Sequence, residues 1–258
     1  MLVLLSPSKT MASDAPSVQF EPSQPVFLQR AELLMSNLKK MGIGEIEALM
    51  KVSRSIAEDV QERCSKWSVP FTEENAMPAA YGFKGAVYTG LDTRSWTTED
   101  MEFAQGHLRI LSGLYGLLGP KDYMQPYRLE MGLKWPNTSE NKNLYSFWGS
   151  ELQLQIDQQA QGLVVDLASQ EYSKAAQLKS INQRVITPVF KDLVKGEYKA
   201  LMAYAKQARG AMAKFIIQNQ IINPEEMKGF EGMGYQWDAL LSEGDTWLFT
   251  RDKNSIAS

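Results

Sequence analysis

Four places in the sequence set hydroxyls and cations directly beyond a short apolar run, a pattern suited to holding or transforming a phosphate. The run Leu2 to Leu5 is followed by Ser6, Ser8, Lys9 and Thr10. Leu108 to Leu111 leads to Ser112 and Tyr115, with Tyr127 and Arg128 a little downstream. Leu163 to Ala168 leads to Ser169, Glu171, Tyr172 and Lys174. Ala200 to Tyr204 opens onto Lys206 and Arg209. Lysine and arginine supply charge and donors for phosphate, and Glu171 with Tyr172 could serve as an acid/base pair. Lys9 is a third catalytic candidate, although no Gly-x-x-x-x-Gly precedes it, so no P-loop is present. The alternative for each is a surface lysine, a structural hydrogen bond or a solvated helix face.

A second cationic stretch lies at residues 39 to 54. Lys39, Lys40, Lys51 and Arg54 surround Gly42 and Gly44, a glycine turn similar to that of helix-hairpin-helix DNA-binding elements. There, glycine lets the backbone approach a phosphate and present its N–H groups. A plain turn between two helices is the other reading, and Glu45 and Glu47 would repel phosphate. From Lys191 to Lys214 the chain holds Lys191, Lys195, Lys199, Lys206, Arg209 and Lys214 against Asp192 and Glu197, a local excess of positive charge.

Elsewhere the candidates are sparser. His107 and Cys64 are the single histidine and cysteine, so metal-ligand spacing is missing and no metal site or cofactor is expected. His107 reads as a favourable charge at a helix C-terminus. Cys64 stands between Arg63 and Lys66, where cations could lower a thiol pKa, unless the thiol is simply structural. Trp135, Tyr145, Phe147 and Trp148 read as core side chains rather than a base-stacking platform.

The elements that must position these groups follow from pattern. Leu2 to Leu5, Leu108 to Leu111, Leu163 to Ala168, Ala200 to Tyr204 and Thr246 to Thr250 read as buried strands. Residues 11 to 26, with Pro16, Pro22 and Pro25, read as a loop. Helices are predicted from Phe27, from about Ile46 to Trp67, from Thr97 to His107 and from about Lys206 to Gln220. Residues 75 to 90 read as a loop or helix end entering a short strand at Val87-Tyr88. Strands alternating with helices imply an α/β fold, a central sheet covered by helices. We expect a single domain over 1–258, with residues 27 to 70 as a possible small helical lobe.

The net charge of −3 argues against a protein that is basic all over, but leaves room for a local basic cleft. A single cysteine suits a reducing compartment. The opening apolar run is too short for a signal peptide, and no stretch approaches the roughly 18 apolar residues of a membrane span. A cytoplasmic location without a membrane partner is the expectation.

Several blocks carry a family resemblance: Leu5-Ser6-Pro7-Ser8-Lys9-Thr10, Phe83-Lys84-Gly85-Ala86-Val87-Tyr88-Thr89-Gly90-Leu91, His107 to Gly116 continuing to Met124-Gln125-Pro126-Tyr127-Arg128, Leu144 to Gly149, Leu167 to Tyr172 and Tyr204 to Gly210. In order and wording they resemble the YaaA family of bacterial peroxide-stress proteins over essentially the whole chain. The resemblance implies a mixed α/β fold with a helix-hairpin-helix-like element and a cytoplasmic protein that limits iron-dependent damage during peroxide stress. It further implies binding of double-stranded DNA through a positive cleft. Carried over, that cleft draws on Lys9, Lys84, Arg109, Arg128, Lys206 and Arg209. Tyr115, Tyr127 and Tyr172 could contact sugar or an exposed base. Two other readings stay open: an enzyme acting on a nucleotide or phosphorylated small molecule at the strand-end cluster, and an interaction protein acting on iron-handling partners.

Overall fold

The computed structural model of the chain describes residues 1–16, 20–137 and 140–252. Along the chain come β1 (Leu2–Leu5), α1 (Leu28–Leu38), α2 (Ile43–Met50), α3 (Arg54–Lys66), β2 (Met77–Pro78), α4 (Ala79–Gly82), α5 (Ala86–Leu91) and α6 (Thr98–His107). Next follow β3 (Leu108–Ser112), β4 (Gly116–Leu118), β5 (Tyr123–Met124), α7 (Leu144–Trp148), α8 (Glu151–Gln159), β6 (Leu163–Asp166) and α9 (Gln170–Ala175). The last elements are β7 (Arg184–Val194), β8 (Glu197–Lys199), α10 (Met202–Gln218), β9 (Gln236–Trp237) and β10 (Thr246–Arg251).

Eight of these strands form one mixed sheet in the order β4-β3-β1-β6-β7-β10-β9, with β8 paired to β7. β3, β1, β6, β7 and β10 run parallel, and β4, β8 and β9 join antiparallel. The fold is therefore the α/β arrangement that the alternation of elements implied. β1 sits in the middle with all four side chains buried, which explains an unbroken apolar run instead of alternation. α6 begins where its hydroxyl and acids said it should. The Thr97 side chain accepts the Asp100 N–H at 3.1 Å, and Asp100 Oδ2 accepts the Thr97 N–H at 2.8 Å.

Residues 27 to 70 form three helices whose buried side chains, among them Leu34, Ile46 and Val60, join the same core as β1 and β6. The single helix expected from Ile46 to Trp67 is two, broken where Lys51 takes left-handed backbone (φ 51°, ψ 51°). The loop reading of 11 to 26 holds outside residues 17–19, which lie outside the described residues.

Two further expectations are corrected, and one strand is new. Val87-Tyr88 belongs to α5 and not to a strand. Ala200 to Tyr204 is not a strand either, because α10 already begins at Met202. Its buried Ala205, Ala208, Met212 and Ile216 recur at helical spacing, while Tyr204 lies outside that face. The longest strand, β7, had no counterpart among the predicted elements. It carries Lys191 and the fully buried Asp192, a charge no isolated strand pattern would include. Asp192 is satisfied only in the assembled sheet. Arg251 Nε of β10 donates to it at 2.5 Å and the Tyr235 hydroxyl at 2.9 Å.

Candidate functional site

β1 and β6 are parallel neighbours, so their carboxyl ends open on the same side, at Ser6 and at Leu167 to Ser169. The ends are tied together: the Ser169 N–H donates to Ser6 Oγ at 2.8 Å. Above them is a cavity of about 800 Å³, lined by the loop after β1, the start of α5, the loop at 127–130, the start of α9 and one face of α10. Ligands in open α/β sheets collect in such crevices.

The position of α10 depends on glycine. Gly210 meets α5 so closely that a Cβ there would lie 1.8 Å from the Val87 carbonyl oxygen, and one on Gly90 would lie 2.0 Å from that of Gln207. Glycine inside a helix costs about 1 kcal/mol relative to alanine, and this backbone-to-backbone crossing is its use. It brings Met202, Ala205, Lys206 and Arg209, spaced i, i+3, i+4 and i+7, onto the wall of the cavity that Lys84 and Tyr88 also line.

Lys9, Lys84, Arg128, Lys206 and Arg209 therefore line one cavity, together with Glu130, Glu171 and Tyr172. The two carboxylates are already engaged. Glu130 pairs with Lys9 Nζ at 2.6 Å and lies 3.5 Å from Arg128 Nη2. Glu171 Oε1 accepts the Gly132 N–H at 2.8 Å, and the Glu171 carbonyl accepts the Tyr145 hydroxyl at 3.3 Å. These bonds pin the loop that forms one wall. Among the described residues, Lys206 and Arg209 have neither a direct ion pair nor a hydrogen bond. Burial pushes the Arg209 guanidinium below its ordinary pKa, and the Asp166 charge nearby pushes the other way. Asp166 itself is held by Ser173, whose hydroxyl lies 2.7 Å from Oδ2, and burial raises its pKa. A cation that is partly desolvated and unpaired attracts an anion more strongly than a solvated one.

A search of family descriptions matches residues 1–241 to the family described as Peroxide stress protein YaaA. The chain belongs to that family. Among similar proteins are UPF0246 proteins of Colwellia psychrerythraea (45% identical, 98% of this chain and 100% of the relative) and Aliivibrio fischeri (45%, 99% and 100%). One from Saccharophagus degradans is 42% identical over 97% of this chain and 99% of the relative.

Not every family-pattern residue reaches the cavity. Arg109 pairs in register with Leu4, well before the strand ends, and its guanidinium turns the other way. Its Nε donates to Gln159 Oε1 at 2.7 Å, and its Nη1 donates to the Gln105 and Leu108 carbonyls. It lines a separate pocket of about 120 Å³ with Asp122 and Gln24. Lys174 stands over the Tyr145 ring, 4.8 Å from its centre, and does not line the cavity. Tyr115 is fully buried, accepting the Trp67 Nε1–H at 2.9 Å, so it cannot touch a ligand. Ser112 is likewise buried, 2.7 Å from the Tyr127 hydroxyl.

The remaining lysines disperse: Lys199 pairs with Glu197 and Lys214 with Asp92. At the hairpin, Lys39 Nζ donates to the Trp67 carbonyl, Lys40 Nζ to Asn37 and Arg54 to Glu58. The Gly42 N–H donates to Glu45 Oε2 at 2.7 Å, and a Cβ on Gly44 would meet nothing within 4 Å.

Cys64 reverses the thiolate expectation, since burial pushes its thiol up to about 11. His107 does end α6, with Nδ1 2.8 Å from the Met1 carbonyl. Trp135, Phe147 and Trp148 are buried in the core. Among the described residues no group of three or more His, Cys, Asp or Glu is placed to hold a metal, and no helix is long and apolar enough to cross a membrane. Gly90 and Gly210 were missed as site-forming residues. The available signal was a glycine inside a strongly periodic helix.

Proposed function

We propose that the chain acts in the peroxide-stress response as a double-stranded DNA-binding protein, holding backbone phosphates at the strand-end cavity. The observation that carries this reading is the convergence of Lys84, Arg128, Lys206 and Arg209 on one cavity whose carboxylates are already engaged. The rest of the protein is acidic enough to give a net charge of −3, so binding depends on this local field. Phosphate contacts of this kind position a protein on DNA without reading sequence. Occupancy of the backbone would limit iron-dependent damage indirectly.

The test is fluorescence anisotropy of a labelled duplex in a salt series, with wild type and a Lys206→Ala/Arg209→Ala variant. We expect steep salt dependence in wild type. In the variant the slope of log K against log salt falls by about 1.8, since each lost phosphate contact removes about 0.9. Weak binding that ignores salt, unchanged in the variant, would overturn the reading.

A further inference from the structure

The cavity is larger than backbone contact requires. Its volume of about 800 Å³ is that of a cube about 9 Å on a side, narrower than the ~12 Å major groove of a duplex alone. A cavity of that volume has no room to enclose a duplex. The same volume falls within the roughly 300–1,000 Å³ of sites that enclose small molecules.

The lining combines two chemistries. Arg209 and Lys206 stand one helical turn apart without a direct partner, and the Arg128 guanidinium has only Glu130, at 3.5 Å. The same cavity is lined by Pro7, Val87 and the exposed Met202, the last on the α10 face that carries Lys206 and Arg209, over a floor where Tyr88 and Tyr172 are buried. The Tyr88 hydroxyl donates to the Ser6 carbonyl at 3.0 Å, which closes the floor beneath the cavity. Charge that lacks a direct partner, set beside apolar surface in one cavity, matches a phosphate joined to a flat, largely apolar ring system. A bare phosphate would leave the apolar lining wet, and a backbone phosphate alone would leave most of the volume empty.

We propose that the cavity takes a single nucleoside-phosphate unit, with its phosphate on Arg209, Lys206 and Arg128 and its sugar and base against Pro7, Val87 and Met202. This rests on the phosphate reading of the cavity above, and goes beyond it by naming what enters. The unit has two possible sources: a nucleotide turned out of a bound strand, or a free nucleotide. A turned-out nucleotide must leave its stack, and that cost is smallest where it is already unpaired.

The experiment uses the full chain in two arms. Titration calorimetry measures binding of AMP, GMP, CMP and dTMP. Anisotropy compares a fully paired duplex with the same duplex carrying one bulged nucleotide. If the unit comes from the strand, the bulged duplex binds about tenfold tighter, and Ala86→Phe, which fills the cavity, makes the two duplexes bind alike. Val87→Trp serves the same purpose should Ala86→Phe lose its cooperative melting. If the unit is free, at least one mononucleotide binds, Ala86→Phe abolishes that binding, and the bulge brings no advantage. Mononucleotide binding without any DNA binding keeps this inference and removes the DNA reading. DNA binding with no bulge advantage and no mononucleotide binding removes this inference and keeps the DNA reading.

Discussion

The strand-end cavity and the 39–54 hairpin look alike as sequence, each with lysine or arginine beside glycine, and they differ in what their polar groups already hold. At the hairpin the Gly42 N–H that would face a phosphate is taken by Glu45, and Arg54 is paired with Glu58. Its lysines are exposed, where water and salt screen them. At the cavity Arg209 is partly desolvated, with the Asp166 charge nearby but no direct ion pair, and the exposed Lys206 lies one turn away on the same wall. The glycines differ as well. Gly44 has open space around it, whereas Gly210 lets two helices touch. Counting positive charges ranks the two regions together, and the half-buried Arg209 without a direct ion pair, against the exposed and paired Arg54, separates them.

The comparison breaks most visibly at the helix crossing. Gly210→Ala places a methyl 1.8 Å from the Val87 carbonyl, so α5 and α10 must part. We expect a loss of about 3 kcal/mol in denaturant unfolding, with weaker DNA binding as Lys206 and Arg209 move off the wall. Stability and binding both within error of wild type would show that the crossing does not set the site.

On the hairpin side, Cys64 of α3 gives a pH signature. Its folded pKa of about 11 lies above the ordinary 9.0. The stability tied to the neutral thiol is thus fully present below pH 9 and is lost as pH rises toward 11. The loss amounts to about 2–3 kcal/mol at 1.36 kcal/mol per unit. Cys64→Ala should flatten that alkaline decline relative to wild type in unfolding curves between pH 8 and 11. Rapid reaction of the folded protein with a thiol reagent at pH 8 would contradict a buried, neutral thiol.

The smallest effect sharpens the contrast. Glu45→Gln weakens the carboxylate's hold on the Gly42 N–H and removes a charge that repels phosphate, at a cost of about 1 kcal/mol to α2. We expect duplex affinity to stay within about twofold. Tighter binding by this variant would mean that the hairpin amide is a phosphate site held shut by Glu45.

Much of this was legible in the sequence where a signal is local. The apolar runs of β1, β3, β6 and β10, the Thr97 cap and the buried face of α10 all declare themselves within a few residues. So does the placing of Ser6, Ser169 and Glu171 beyond strand ends. What escaped depends on partners distant in the chain. Asp192 makes β7 look unlike a strand until Arg251, 59 residues later, neutralises it. Arg109 shares a block with Ser112, yet its strand position turns it toward Gln159. Lys84 and Arg209 become neighbours of one cavity only because Gly90 and Gly210 let α5 and α10 meet, and no periodicity within either helix records that meeting.

The most direct measurement pits the two regions against each other on one duplex. Anisotropy in a salt series is run on wild type, on Lys206→Ala/Arg209→Ala and on Lys40→Ala/Lys51→Ala, each variant losing two positive charges. The cavity variant should bind at least tenfold more weakly at low salt, with its slope reduced by about 1.8, and the hairpin variant should stay within about twofold of wild type. Equal losses from the two variants, or a larger loss from the hairpin, would contradict the claim that the half-buried Arg209 and the neighbouring Lys206, neither with a direct partner, hold the phosphate.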